Sequence, residues 1–141
     1  MITTNVIQRT FHIKFGEVIG TCFTIDTDKK QYFVTAKHVI ENLTSGRIVE
    51  IFHNNKWNQF EAKLIGHSSK ADVSVFAINQ AIVAHPLPPT IDKIMYGQDL
   101  YFLGFPFGLK AEAGELNRNF PLPLVKKGIL SAMFFNQDPK Y

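Results

Sequence analysis

Disulfides are closed to this chain. One cysteine, Cys22, stands among 141 residues, so no internal bridge forms and no disulfide framework holds the fold. A lone cysteine fits a reducing compartment. The opening residues, Met1-Ile2-Thr3-Thr4-Asn5, lack the basic and apolar regions of a signal peptide. No apolar run approaches the ~20 residues that span a bilayer. The expectation is therefore a soluble, cytoplasmic protein with no membrane partner.

Charge is scarce too, at 19% of residues and a net +3. The lysines fall in pairs, Lys29-Lys30 and Lys126-Lys127, separated by acids. They make no sustained basic stripe of the kind a nucleic-acid face needs, so no nucleic-acid partner is expected. The five histidines, His12, His38, His53, His67 and His85, show no short paired spacing of the zinc type. Neither a metal site nor any other cofactor is expected.

Apolar and aromatic residues are plentiful. The chain is 45% hydrophobic and holds 13 phenylalanines, and rings of that size need a core or a partner surface. At this length one domain or two small ones are expected, with roughly two-thirds of the extended-chain surface buried on folding.

Strand signals dominate. Gly20 to Ile25 and Gln31 to Ala36 are β-rich runs flanking a polar turn, Asp26-Thr27-Asp28-Lys29-Lys30, and read as a hairpin. Arg47 to Phe52 and Trp57 to Ile65 flank His53-Asn54-Asn55-Lys56, and asparagine tolerates the left-handed backbone of a tight turn. Phe60, Ala62 and Leu64 alternate with Gln59, Glu61 and Lys63, a period of two that marks one dry and one wet face. Val73 to Ile78 is apolar on both faces apart from Ser74 and reads as a buried strand. With an opening strand over Val6 to Phe15, about six short strands share one apolar interior, most simply as a closed barrel.

The single helical stretch is expected over Lys37 to Leu43. Ala84-His85-Pro86-Leu87-Pro88-Pro89 cannot continue a sheet, because proline lacks the donor. A strand is expected again at Gln98 to Gly104, then the turn Phe105-Pro106-Phe107-Gly108, a polar loop to about Pro123, and a strand over Leu124 to Phe134.

Two places carry chemistry. His38 stands where the hairpin runs into the helical turn, at a barrel rim. An imidazole held by rigid strands yet open to a substrate suits a general base. Taken alone, a histidine beside a short helix is more often structural than catalytic. Asp72 directly precedes the buried strand and is expected to be held partly out of water, either capping a turn or accepting a histidine Nδ1 hydrogen.

The strings around these residues resemble the trypsin-like serine peptidases, particularly their bacterial, disulfide-free branch. Gly20-Thr21-x-Phe23, a hairpin, then Thr35-Ala36-x-His38-Val39 resembles the family's histidine region. Asp72 lies 34 positions on, leading into an apolar strand as the family's aspartate does. Gly97 to Gly108 resembles the start of the family's second barrel, and Gly128-Ile129-Leu130-Ser131 the strand before its nucleophile loop.

The resemblance implies an all-β fold: a six-stranded antiparallel barrel over residues 1–80, a linker over 81–97, and the start of a second barrel over 98–141. It implies that His38 is the general base, Asp72 the residue that orients it, and a polypeptide the substrate. The departure is the nucleophile. The family's Gly-x-Ser-Gly-Gly segment is absent. Ser131 matches a structural strand position, and Ser45, Ser68, Ser69 and Ser74 lack a glycine-rich loop. Cys22 takes a place where relatives carry glycine or alanine, and reads as a packed, inert thiol.

The expectation is a peptidase chain that ends before its serine and is inactive as it stands. The alternative is a non-catalytic binding module on a peptidase barrel. An unfinished second barrel would leave Phe102, Phe105, Phe134 and Phe135 uncovered, favouring self-association or a disordered tail after about residue 108. A small barrel binding single-stranded nucleic acid would need exposed aromatics with basic residues between them, whereas Phe33, Phe60 and Phe76 fall at core-facing positions.

Overall fold

Two tight turns set the registers on which the barrel is built. A computed structural model describes residues 1–117 and 120–133. Strands β2 (Val18–Thr27) and β3 (Lys30–Thr35) meet at Asp28 and Lys29, with φ of 48° and 62°. Strands β4 (Arg47–His53) and β5 (Lys56–His67) meet at Asn54 and Asn55, with φ of 51° and 60°. Two successive left-handed residues make the turn whose twist matches that of the flanking strands. Asparagine suits those positions. Lys29 is the costlier occupant.

With β1 (Thr10–Phe15) and β6 (Ser74–Ile78) these strands pair antiparallel in the order β1-β2-β3-β6-β5-β4. Pairing of β1 with β4 closes the barrel, so no edge is left open. Along β5 the expected alternation holds: Ala62 is buried and Phe60 and Leu64 pack against the core, while Gln59, Glu61 and Lys63 are exposed. A bulge between Leu64 and Gly66 leaves the exposed Ile65 without a ladder partner, and β5 continues along β6 as far as His67 opposite Ser74. The barrel is filled by Phe11, Ile13, Phe33, Val49, Ile51 and Phe76. The Phe33 and Phe76 rings stack with centroids 5.1 Å apart.

Residues 79–98 form neither strand nor helix. After them β7 (Asp99–Gly104) and β8 (Leu124–Ile129) pair as a separate two-stranded sheet. Among the described residues no helix is long and apolar enough to cross a membrane.

Several boundaries differ from the sequence expectation. The opening strand starts at Thr10, not Val6, because Thr4–Ile7 winds into one helical turn, α1. The Thr10 hydroxyl donates to the Val6 carbonyl at 3.2 Å and so ties the turn to the strand. The helical stretch after β3 is a single 3-10 turn, Lys37–Val39. Beyond that turn the chain is held by one more turn bond, from the Leu43 amide to the Ile40 carbonyl at 2.9 Å, and by burial of Ile40 and Leu43. Further 3-10 turns occur at Pro106–Gly108 and Gly114–Asn117, where no helix was expected.

Strand β8 stops at Ile129, short of Phe134. Leu130 still donates to the Gln98 carbonyl at 2.9 Å, but the partner strand then turns away through Gly97, at φ 82°. Phe134 and Phe135 lie outside the described residues. Phe102 is 58% exposed, whereas Phe105 is 2% exposed and not uncovered as expected. Phe105 stacks on His12 at 5.4 Å, and its amide donates to the Thr21 hydroxyl at 2.8 Å. That stack fastens the chain after β7 to the barrel wall.

Candidate active site

Strand register brings His38 and Asp72 together. Across β3 and β6, Phe33 faces Phe76, Val34 faces Val75 and Thr35 faces Ser74. Extending that ladder past its last pair sets Lys37 opposite Asp72, and His38 comes immediately after. A separation of 34 positions in sequence is thereby closed by one antiparallel pairing. The far side is held by a tight loop: Ser68 donates its amide to the Val73 carbonyl at 2.8 Å. The Ser68 hydroxyl accepts from the amides of Lys70 and Ala71 at 3.2 and 3.1 Å.

The 3-10 turn that bears His38 is pinned from beneath. Val39 is 3% exposed, and its Cγ2 lies 2.6 Å from where a Cβ on Gly20 would stand. Only glycine lets β2 pass that close to a buried branched side chain. The buried Thr35 hydroxyl donates to the Thr21 carbonyl at 2.8 Å, fixing the end of β3.

Asp72 accepts twice from one residue. The His38 amide donates to Oδ1 at 2.9 Å, and the ring Nδ1 lies 2.6 Å from Oδ2. These two bonds, the amide first and the ring second, hold the Asp72 carboxyl below the usual carboxylate range, with the histidine's charge adding to them. An ionised carboxylate only accepts, so the ring proton sits on Nδ1 and the Nε2 lone pair is free to accept. The two side chains are 68% and 56% exposed. Asp72 is thus more open than its place before a buried strand suggested, because it belongs to the loop outside the barrel and burial begins only at Ser74.

The other candidates lie elsewhere. Among the described residues no serine hydroxyl hydrogen-bonds His38. Ser74 is fully buried and its hydroxyl lies 2.6 Å from the His67 Nδ1, a contact that joins β5 to β6 and that the sequence did not announce. Cys22 is fully buried, and burial pushes its thiol well up, which suits packing and not nucleophilic attack. Among the described residues no three His, Cys, Asp or Glu side chains converge as a metal site would require.

Sequence reasoning also missed what braces this end of the barrel. The supporting role of Gly20 rests on a contact with Val39, and that of Thr21 on bonds to Thr35 and Phe105. A Gly-Thr pair opening the hairpin carries that information only once the partners are known.

A pair of this geometry has a specific chemical use. It presents a bare imidazole nitrogen at a barrel rim, in a fixed tautomer, with a carboxylate behind it ready to balance an imidazolium. A family model described as a trypsin-like peptidase domain matches residues 20–140. No curated protein matches the chain. Among solved structures, the inactive form of a serine-to-alanine mutant of Rv3671c from M. tuberculosis is similar, with a TM-score of 0.54 at 20% identity. The match covers 86% of this chain and 61% of that one, and at that identity it speaks for the fold. The barrel, the register that joins β3 to β6 and the family match over residues 20–140 agree: the chain belongs to the trypsin-like peptidase domain family.

Proposed function

We propose that this chain carries the base half of a peptide-hydrolysing site, for a serine nucleophile supplied by sequence beyond residue 141. The observation that carries the reading is the double hydrogen bond from His38 to Asp72. His38 Nε2 takes the proton of the serine hydroxyl as its oxygen bonds to the peptide carbonyl carbon. The imidazolium so formed is balanced by Asp72, then gives its proton to the leaving amine as the carbon–nitrogen bond breaks. Water, deprotonated by the same nitrogen, cleaves the acyl intermediate and restores the serine. The 141 residues by themselves hydrolyse nothing, for want of that serine.

A fluorophosphonate probe, which labels only activated serines, tests this. The protein extended by its downstream coding sequence is expected to label at one serine outside residues 1–141, and its His38→Ala variant not to label. A stop codon directly after residue 141 with unrelated sequence beyond it would overturn the proposal and favour a non-catalytic module. So would labelling within the 141 residues.

A further inference from the structure

Phe11 and Ile13 fill the barrel, so the alternation of β1 turns His12, between them, out of the wall. An outward position would ordinarily meet water, yet His12 is only 9% exposed. Its cover comes from two other elements. The Phe105 ring lies over it in a stack with centroids 5.4 Å apart, and the Trp57 ring of β5 stands beside it at 5.0 Å. Gly108 closes a further edge: a Cβ there would lie 3.4 Å from the His12 Cε1 and 3.7 Å from Nε2. That Nε2 is closed off from solvent and has no hydrogen-bond partner among the described residues.

The covering turn, Pro106–Gly108, is fastened through Phe105. The Phe105 amide donates to the Thr21 hydroxyl at 2.8 Å, and its ring is seated on His12. Phe107 works against this. It takes φ 54° and ψ 25°, a left-handed backbone that is costly for a bulky residue. Its side chain is fully exposed and contributes no burial in return.

We propose that His12 is a proton-sensitive latch: neutral, it seats the Phe105–Gly108 turn on the barrel, and protonated, it releases that turn while the barrel stays folded. A neutral imidazole carries one proton and leaves one nitrogen bare. Protonation makes both nitrogens donors, which puts a charged N–H on Nε2 facing Gly108 with no acceptor. A closed site makes such a donor costly. Opening the turn gives it to water.

The elements packed around His12 offer the protonated ring no counter-charge. Across β2 stands Thr21, whose hydroxyl already accepts from Phe105. Strand β5 brings Trp57, whose N–H only donates, and beside it Lys56, a cation. On β4, Glu50 pairs with Lys14 at 3.9 Å, and the His53 ring stands against Phe11. Past the turn, Glu112 pairs with Lys110 at 2.9 Å. Burial first and the Lys110 charge second hold the proton affinity of His12 below its ordinary value. The closed turn is therefore fully favoured above 6.5 and loses that favour as pH falls through the lower folded value.

Amide hydrogen exchange reads the latch directly. Between about pH 7.5 and about pH 5, protection of the Phe105 amide, corrected for intrinsic exchange, is expected to fall roughly tenfold or more, by the ratio of the proton affinities of the open and closed forms. The Thr24 amide, bonded to the Arg9 carbonyl at 3.0 Å beside the β1–β2 ladder, is expected to keep its protection. The fall is expected to follow the NMR titration of the His12 ring. His12→Phe, which keeps a ring under Phe105 but takes up no proton, is expected to show no fall. Unchanged protection of Phe105, an equal fall at Thr24, a midpoint that follows another histidine, or a fall that persists in His12→Phe would each overturn the proposal. The first three are read on the unmodified protein, so they decide even if His12→Phe does not fold.

Discussion

Asp72 holds His38 by its backbone and by its ring at once, through Oδ1 to the amide at 2.9 Å and Oδ2 to Nδ1 at 2.6 Å. The amide bond fixes where the residue starts and the ring bond fixes how the imidazole is turned. Two bonds to one carboxylate leave the ring a single tautomer and its Nε2 pointing away from the protein's own acceptor.

This arrangement is directly visible to NMR. The Asp72 carboxyl is expected to titrate below 3.8, its ordinary value, because both His38 bonds favour the charged form. In His38→Ala the ring bond is lost and the midpoint is expected to move up. Nitrogen-15 shifts of the neutral His38 ring are expected to report the proton on Nδ1 and none on Nε2. A reversed tautomer would contradict the described geometry.

The register that joins the pair depends on the stacked rings of Phe33 and Phe76, both fully buried and directly opposite each other. Truncating either to alanine is expected to cost about 3–5 kcal/mol in urea unfolding. The double mutant is expected to fall short of the sum by about 0.5–1.5 kcal/mol, the share of direct ring contact. Strict additivity would mean that the rings do not support one another.

Much of this was legible in the sequence, and for identifiable reasons. Ala62 sits in a strand whose period-two pattern names the core face, Phe33 and Phe76 in β-rich and apolar runs that read as core strands, and Asn54-Asn55 names its turn. His38 and Asp72 were legible as a candidate pair only through the strings around them, which resemble the family's, since a place beside a strand leaves either residue's role open. The burial of Arg9 was not legible, since it depends on bonds to Thr24 and Asp26 of β2. Nor was the burial of Phe105, which depends on His12 from the first strand. Single-turn helices such as Thr4–Ile7 are too short to show a period.

The seat of the His38 turn can be probed without touching the pair. Gly20→Ala places a methyl 2.6 Å from Val39 Cγ2, and Val39 is branched and buried, so it has little room to rotate. The variant is expected to lose about 1–3 kcal/mol of stability and to shift the His38 resonances. Adding Val39→Ala makes room, and the double variant is expected to restore the His38 shifts. Unchanged His38 shifts in Gly20→Ala would show that the turn is not seated there.

Acid is expected to weaken the fold in two stages. Burial lowers the affinity of His12 and His53 for a proton, with Lys110 adding to the effect on His12. Their neutral forms are therefore favoured in the folded state, so stability is full above 6.5 and falls as pH drops below it. Asp26 and Asp72 are depressed. For Asp26 burial acts upward but is outweighed by bonds from Leu87, Gln31 and Arg9; for Asp72 the His38 bonds prevail. Their contribution is present above 3.8 and is lost as pH falls through their lower folded values. Urea midpoints between pH 3 and 8 check this, and His12→Phe, which keeps a ring against Phe105, is expected to shrink the first stage. A midpoint that rises between pH 7 and 5 would contradict it.

The most direct measurement is turnover of a peptide substrate by the protein extended by its downstream coding sequence, as purified and as His38→Ala and Asp72→Asn. The account predicts that His38→Ala falls to background. It predicts that Asp72→Asn, with its exposed side chain, keeps the fold by circular dichroism and the same KM but loses roughly 10⁴-fold in kcat, as removing the orienting carboxylate does in a triad. Full turnover in either variant would contradict it.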